Sequence, residues 1–595
     1  MPATSTATAT STSTATSPSN YRAPVDDIVE ALTVVGLDEL AGLDAYAAAG
    51  VDTATVRELV EAFGRFAADV IAPTDRVGDV EGARFDPATG AVTLPEPFAK
   101  AYRAYVEGGW GALAFPPEHG GGGMPRLVGT ALQEVLTSAN MALSLNPILT
   151  QSAIELLHQW GTRAQQERYL PKLVTGEWTG TMNLTEPEAG SDLGAIRTTA
   201  VPGPDGTGWR VSGTKIFITW GEHDLADNIV HLVLARTPGA PPGTKGLSLF
   251  LVPKVLPDGA RNALRAVSIE HKMGIHASPT CVMSFDGAEA ELVGEQHGGM
   301  RAMFTMMNAA RLAIAVQGLA VGEVAGQQAW AFARERRQGR APGALAGGAG
   351  AASPIIEHPD VARMLLDIRA STRAVRLLLY LTAQQAGIAA HGPSVGARTA
   401  AQARVDLLTP IGKAWGTDTG FRLASLAVQV HGGMGYIEET GIAQRLRDAR
   451  IAPIYEGTNG IQAIDLVHRK VGRDDGAAMG ALLDDIGATV GEAEGAGLDR
   501  MAGALGDAVR RLRAATDWLV GTVRTAPADA LAGATAYAEL CGVTTGGWLL
   551  ARRALAPGAS EEARVDAEVF AVEVLSAAPG LATRATAGAG HLVAS

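Results

Sequence analysis

An α+β chain, helical at both ends around a β-rich middle, is what this sequence predicts, and three observations carry the prediction. Residues 56–71, VRELVEAFGRFAADVI, and the stretch 127–160 repeat apolar residues three and four apart, the spacing that lines one face of a helix. Between Thr179 and about Phe285 the texture turns to short β-rich runs at 209–211, 215–219, 229–235 and 247–252. Gly, Pro and Asp clusters separate them, as in GTGWRVSGTK, residues 206–215. Helical periodicity returns from about Gly298 to Val471, interrupted by the Ala/Gly/Pro-rich segment 341–354, and an Ala-, Leu- and Arg-rich helical stretch follows. The expected division is a disordered tail 1–20, an N-terminal arm and helical domain 21–178, a β domain 179–290, a helical bundle 291–471 and an additional C-terminal helical domain 472–595. With no strand–GxGxxG–helix unit, a doubly wound nucleotide-binding sheet is unsupported.

A chain of 595 residues is too long for one core, which agrees with several units. Apolar residues at 47% and charged residues at 19% are the balance of a soluble globular enzyme. A net charge of −13 disfavours nucleic acid or an anionic membrane as main partner. The two cysteines, Cys281 and Cys541, lie too far apart in sequence to suggest a disulfide framework or a zinc site, as in a reducing cytoplasm. No run of 18 uninterrupted apolar residues occurs, so no membrane span is expected. The first twenty residues, mostly Thr, Ser and Ala, lack the basic start and apolar centre of a secretory signal and the arginines of a transit peptide. Such a tail buries too little to fold, and a cytoplasmic protein is expected.

The segment RLRDARIAPIYEGTNGIQAID, residues 445–465, puts one carboxylate, Glu456, in a short loop marked by Gly457, Thr458, Asn459 and Gly460. Held in a dry pocket, such a carboxylate has a raised pKa and takes a proton from carbon. Alone, the string also reads as an ordinary loop glutamate, with Asp448 and Asp465 as caps or surface partners. In MNLTEPEAGSD, residues 182–192, the backbone near Thr185, Gly190 and Ser191 permits close approach of a planar ring or pyrophosphate, or simply turns the chain. GTKIFITWGEHD, residues 213–224, reads as a strand whose Thr219 offers a hydroxyl. Arg311 opens a long apolar helix in MNAARLAIAVQGLA, residues 307–320, where a buried guanidinium needs an anion. Arg336 and Gln338 in ARERRQGR suit pyrophosphate and adenine, or equally form a solvated basic helix end, and Gly432 and Gly433 in VQVHGGMGYIEETG allow close backbone approach. His271 and His276 have no carboxylate or cysteine partner at ligand spacing, so no metal is expected.

These strings follow the order found in the acyl-CoA dehydrogenase flavoproteins, which the chain resembles over roughly 56–471. YEGT with NGIQ resembles their catalytic loop, LTEPEAGSD their flavin-contacting signature, and GTKIFIT their G-x-K-x-[WFY]-I-[TS] strand. The resemblance implies an acyl-CoA dehydrogenase-like fold with a barrel-like middle domain, FAD as cofactor and an acyl-CoA thioester as substrate. It makes Glu456 the base for the α-proton while the β-hydrogen leaves as hydride to the flavin, giving a trans-2-enoyl-CoA. The backbone N–H of Glu456 and a flavin ribityl hydroxyl would hold the thioester oxygen. Implied cofactor contacts are Met182, Leu184, Thr185, Gly190, Ser191, Phe217, Ile218, Thr219, Gln429, Gly432, Gly433, Thr458 and Asn459. Arg336 and Gln338 would reach the cofactor of a neighbouring subunit, in a homodimer or dimer of dimers. Ser191, Asn308, Arg311 and Gly457 would line the acyl-CoA path.

Three positions depart from the family pattern. Trp220 stands where a small residue is usual, the phenylalanine before Gly339 is missing, and Pro359 follows His358 in place of glutamine. YRAPVDDI at 21–28, LLTPIGKAWGTDTG at 407–420 and the extension after Gly472 resemble a longer bacterial subgroup, which includes (methylthio)propanoyl-CoA dehydrogenases and broad-range acyl-CoA dehydrogenases. In that setting electrons pass to an electron-transfer flavoprotein. An acyl-CoA oxidase, handing them to oxygen, is the alternative within the same fold. A DNA-alkylation-response flavoprotein needs a basic C-terminal domain, and the 16 acidic against 10 basic residues from Val471 onward disfavour it. The C-terminal unit is expected to be structural or oligomer-forming.

Overall fold

The computed structural model describes residues 21–204, 206, 208–343 and 352–592, so the tail 1–20 and most of the segment 341–354 lie outside the described residues. The N-terminal unit comprises α1 (Val25–Val34), α2 (Leu37–Ala41), α3 (Thr53–Phe66), α4 (Ala72–Glu81), α5 (Glu96–Glu107), α6 (Arg126–Ala139), α7 (Met141–Trp160) and α8 (Arg163–Thr175), with a short antiparallel pair β1 (Arg84–Phe85) and β2 (Val92–Thr93). The pattern at 56–71 starts earlier than expected because Asp52 caps α3, accepting the Thr55 N–H at 2.7 Å, and it ends in a π turn at Ala67–Ile71. The continuous pattern 127–160 is two helices. Asn140 stands extended between them, accepts the Leu143 N–H at 2.9 Å and donates to Thr74 Oγ1 at 2.8 Å. A polar cap inside an apolar run thus interrupts what periodicity joins.

The β domain holds β3 (Trp178–Asn183), β4 (Thr199–Pro202), β5 (Trp209–Thr219), β6 (Asn228–Arg236), β7 (Leu247–Pro253), β8 (Leu264–Ile269) and β9 (Thr280–Val293). The runs 209–211 and 215–219, read separately in the sequence, are one strand, β5. Strand β6 runs parallel to β3 and β4 and antiparallel to β7; β4, β5, β9 and β7 pair antiparallel in that order. Because β7 pairs with both β6 and β9, strands β6, β4, β5, β9 and β7 close into a ring, while β3 on β6 and β8 on β9 each pair on one side only. Where β5 slips register between Lys215 and Ile218, Phe217 takes φ +57° and points outward at 58% exposure, while Ile218 turns inward at 2%.

The bundle contains α9 (Gly299–Glu335), α10 (Pro359–His391), α11 (Val395–His431), α12 (Ile442–Ala449) and α13 (Asn459–Asp465). Helix α9 begins at Gly299, where a Cβ would lie 2.5 Å from the Ser248 carbonyl carbon of β7, so Arg311 sits well inside the helix rather than opening it. By length and composition α9 could cross a membrane, but 78% of its apolar window is buried inside the molecule. It meets α11 backbone to backbone: a Cβ on Gly318 would be 2.3 Å from the Gly416 carbonyl oxygen, and one on Gly420 would be 2.2 Å from that of Gly318.

The C-terminal extension comprises α14 (Ala477–Gly495), α15 (Asp499–Thr522), α16 (Pro527–Ala532), α17 (Ala534–Leu555), α18 (Glu561–Glu573) and α19 (Ala578–Ala585). It also packs against α11, where Gly542 and Gly546 of α17 receive the Trp415 indole; Cβ atoms there would approach it to 2.2 and 2.6 Å. Asp566 of α18, fully buried, accepts from Arg369 Nε at 2.8 Å, Arg553 Nη1 at 2.7 Å and Arg373 Nη1. Arg373 also holds Asp27 of α1 at 2.7 Å, so one charged clasp joins the N-terminal arm, the bundle and the extension.

Candidate active site

The loop between α12 and α13 is folded by its own glycine and by groups reaching it from two long helices. Glu456 and Gly457 stand consecutively in the left-handed region, at φ +56° and +84°. Glycine takes this freely, but for glutamate it costs about 1–2 kcal/mol, so outside contacts must hold the turn. The Asn459 N–H donates to the Pro453 carbonyl at 3.0 Å, and Thr458 Oγ1 accepts the Ile461 N–H at 3.2 Å as the cap of α13. Lys413 Nζ of α11 donates to the Gly457 carbonyl at 2.8 Å, and the Tyr455 hydroxyl bonds Gln317 Oε1 of α9.

Within this frame neither the partly buried Glu456 carboxylate nor its backbone N–H has a hydrogen-bond partner among the described residues. Burial pushes the carboxyl up to about 7, against the opposing pull of Lys413 and Arg311. Arg311 is 7% exposed, donates to Asn308 Oδ1 at 3.2 Å and lies 3.7 Å from Asp465 Oδ2. Desolvation lowers its pKa, and its Nε has no partner among the described residues. An unpaired carboxylate that titrates near neutrality beside two cations has the character of a general base.

The segments expected to meet a cofactor lie at the ends of the barrel and of the helices. Met182 and Thr185 are half-buried, and Leu184 is buried with its carbonyl accepting from Lys215 Nζ at 2.9 Å. Lys215 pairs with Glu186 at 2.8 Å inside the barrel, which pins the start of the 184–191 loop; Gly190 and Ser191 stand exposed beyond it. Thr219 is half-buried, with no hydrogen bond to its hydroxyl among the described residues. Gln429, Gly432 and Gly433 are exposed where α11 ends in the φ +59° turn of Gly432. Arg336 and Gln338 are exposed past α9 and bond one another at 3.1 Å. Thr458 and Asn308 are exposed and Gly457 half-buried.

Two expectations need correction. The Ile218 side chain packs in the core, because the β5 bulge turns Phe217 out and Ile218 in. Asn459 is 7% exposed, and its amide is consumed internally: Nδ2 donates to Ala414 O and Thr417 Oγ1, both at 3.0 Å, while Oδ1 accepts Lys413 Nζ at 2.9 Å. Its side chain holds the loop to α11 and offers nothing to a cofactor.

Three of the remaining positions leave room for a flavin or its phosphates, while the Leu184 side chain packs in a core cluster. Apart from chain neighbours, no described residue lies within 4 Å of a Cβ built on Gly190, Gly432 or Gly433, so the backbone there is open to a planar or phosphate group. Asn183 Oδ1, buried on β3 beside Met182, has no partner among the described residues. Trp220 turns into the core at 1% exposure, edge-on to His223, so the barrel interior absorbs this departure from the family pattern.

Sequence reasoning missed Lys413, Gln317 and Tyr455; the available signal was a lone lysine in the apolar run LLTPIGKAW. It also misread both flanking aspartates. Asp448 is 3% exposed and accepts the Ile275 N–H, and burial together with Asp75 pushes it up to about 6. Asp465 is buried facing Arg311. A cavity of about 850 Å³, lined among others by Trp110, Gln133, Gln151, Ala309 and Ala313, includes none of the residues expected at the site.

Family models match four stretches: acyl-CoA dehydrogenase N-terminal domain at 53–177, middle domain at 181–288, C-terminal domain at 297–471, and acetyl-CoA dehydrogenase C-terminal like at 482–595. The chain is 48% identical to 3-methylmercaptopropionyl-CoA dehydrogenase of Ruegeria pomeroyi, over 94% of this chain and 95% of that one. It is 35% identical to the broad-specificity linear acyl-CoA dehydrogenase FadE5 of Mycobacterium tuberculosis, over 90% of each. Among solved structures, Caenorhabditis elegans ACDH-11 in complex with C11-CoA has a TM-score of 0.78 at 21% identity, covering 96% of this chain and 94% of that one, a likeness of fold.

Proposed function

This chain belongs to the acyl-CoA dehydrogenase family, and on that premise we propose that Glu456 removes the α-proton of an acyl-CoA thioester to give the trans-2-enoyl-CoA. The observation that carries the reading is Glu456 itself, unpaired and pushed up to about 7 by burial, where a general base works best near neutral pH. Its backbone N–H, with no acceptor among the described residues, is available to the thioester oxygen as enolate charge develops. Arg311 and Asn308 on α9, with Ser191 and Gly457, orient the thioester and its CoA portion. FAD, the cofactor of the family, supplies when bound the acceptor for the hydride equivalent that leaves the β-carbon.

Met182, Thr185, Gly190, Ser191, Phe217 and Thr219 would hold the cofactor from the barrel side. Gln429, Gly432 and Gly433 would hold it from the end of α11, and Arg336 and Gln338 of a second copy would complete the site. Met434, Tyr436 and Ile437, at 52, 89 and 44% exposure beside those glycines, support a covering subunit in a homodimer or dimer of dimers. An electron-transfer flavoprotein is the proposed acceptor; rapid reoxidation of the reduced enzyme by air would favour an oxidase instead.

The test is Glu456→Gln, which keeps volume and removes the base. The variant should fold and retain FAD, while flavin reduction by acyl-CoA falls by ~100–10,000-fold. Only the ionised base is competent, so the wild-type rate should fall as pH drops through about 7. Near wild-type reduction by the variant would place the base elsewhere.

A further inference from the structure

The buried ammonium of Lys413 has no part in the chemistry above, yet it grips the loop that carries the base. Lys413 is fully buried on α11, where an ammonium is costly unless hydrogen bonds offset its lost hydration. Its Nζ donates to the Gly457 carbonyl at 2.8 Å and to Asn459 Oδ1 at 2.9 Å. Asn459 in turn is tied to Ala414 and Thr417, so the loop is bolted to a single turn of α11. That turn is braced by α9 through the Gly318–Gly416 contact and by α17 through Trp415. An ammonium has three donors. Two are matched, no described residue accepts the third, and the neighbouring Glu456 carboxylate accepts none.

The other charged or titratable groups facing this pair are Arg311 from α9, Asp418 from α11 and Tyr455 from the loop itself; Arg311 is in turn faced by Asp465 and Arg469. Resting on the reading of Glu456 as base, we propose that Lys413 is a positioning residue: it fixes Glu456 in its left-handed turn through the Gly457 carbonyl and brings a positive charge near the carboxylate that favours its ionised form.

Burial pushes Glu456 up to about 7 and Lys413 down to about 7, while each favours the charged form of the other. The lysine charge is therefore present on the acid side of neutrality, where Glu456 is being protonated, and fades on the alkaline side. A pH-dependent defect distinguishes this role from mere packing.

The experiment uses the full FAD-loaded chain and two variants. Lys413→Met removes charge and donors; Lys413→Gln removes the charge but keeps an N–H for the Gly457 carbonyl. Single-turnover flavin reduction is followed across pH with butanoyl-, octanoyl- and palmitoyl-CoA, using whichever reduces wild type fastest. The acid limb should move up by about 1–2 pH units in both variants. In Lys413→Gln the rate should fall ~10-fold or more on the acid side, because the ionised fraction there drops about tenfold for each pH unit the limb moves. On the alkaline side it should approach wild type. Lys413→Met should stay lower throughout. Infrared difference titration of the Glu456 carboxyl, recognised by its loss in Glu456→Gln, should show the same upward displacement without turnover. An unmoved acid limb and carboxyl titration, a loss uniform with pH, or failure of both variants to fold with FAD would each overturn the proposal. If Glu456→Gln reduces its flavin like wild type, the base reading falls first. If it is inactive while the Lys413 variants titrate like wild type, only this inference falls.

Discussion

Asn459 and Glu456 lie three residues apart on one loop and have opposite fates, which only their surroundings explain. Both are polar residues in a glycine-marked segment, and both resemble family contacts at the level of the string. The amide of Asn459 meets a carbonyl, a hydroxyl and an ammonium on α11, whereas the carboxylate of Glu456 meets none of these and remains available. Asn459→Ala should therefore leave FAD affinity unchanged while destabilising the fold by about 1–3 kcal/mol, the cost of unmatched buried polar groups. Urea denaturation and flavin titration measure the two effects. Weakened FAD binding at unchanged stability would restore a cofactor role for this side chain. Glu456 was legible because glycine and turn residues mark a loop locally. Lys413, 43 positions earlier, was not, since nothing in an apolar helical run says which residue its lone lysine will meet.

At the scale of elements, the closeness of α9 and α11 brings both Arg311 and Lys413 to the Glu456 loop. Glycines permit it: Gly318 and Gly420 leave no space for a Cβ against facing backbone, which cannot swing aside as a flexible side chain can. Gly318→Ala should force the helices apart and destabilise by about 1–3 kcal/mol or more. Gly503→Ala, at an exposed position in the second turn of α15 with nothing within 4 Å among the described residues, should instead stabilise by roughly 0.5–1 kcal/mol, as expected for alanine over glycine in a helix. Thermal melts of the two variants should move in opposite directions; a harmless Gly318→Ala would mean that the contact is looser than described. Periodicity found the long elements but misplaced their breaks, joining α6 to α7 and splitting β5. A cap such as Asn140 and a bulge such as that at Phe217 depend on hydrogen bonds to distant strands and helices, which composition does not record.

For the whole molecule, the C-terminal extension is part of the same packed body as the bundle. Trp415, two residues from Lys413, is covered by α17, and Asp566 neutralises arginines on α10 and α17. Asp566→Ala would leave three guanidinium groups without their common buried anion and should cost about 3–5 kcal/mol in urea denaturation, with full FAD content in the molecules that remain folded. An unchanged midpoint would remove the clasp from the account. Deleting the chain beyond Gly472 should go further, exposing Trp415 and reducing solubility.

By itself the sequence determined the α+β class, the helix–β–helix order and the family, because periodicity, turn residues and short motifs are local properties that survive without coordinates. Tertiary structure alone decided which polar groups were left unmatched. Whether Glu456, Asn459, Asp448 or Asp465 is free or engaged depends on groups brought from α9, α11 and the barrel. Burial and charge at those distances, and not residue type, set which carboxylate titrates near neutrality.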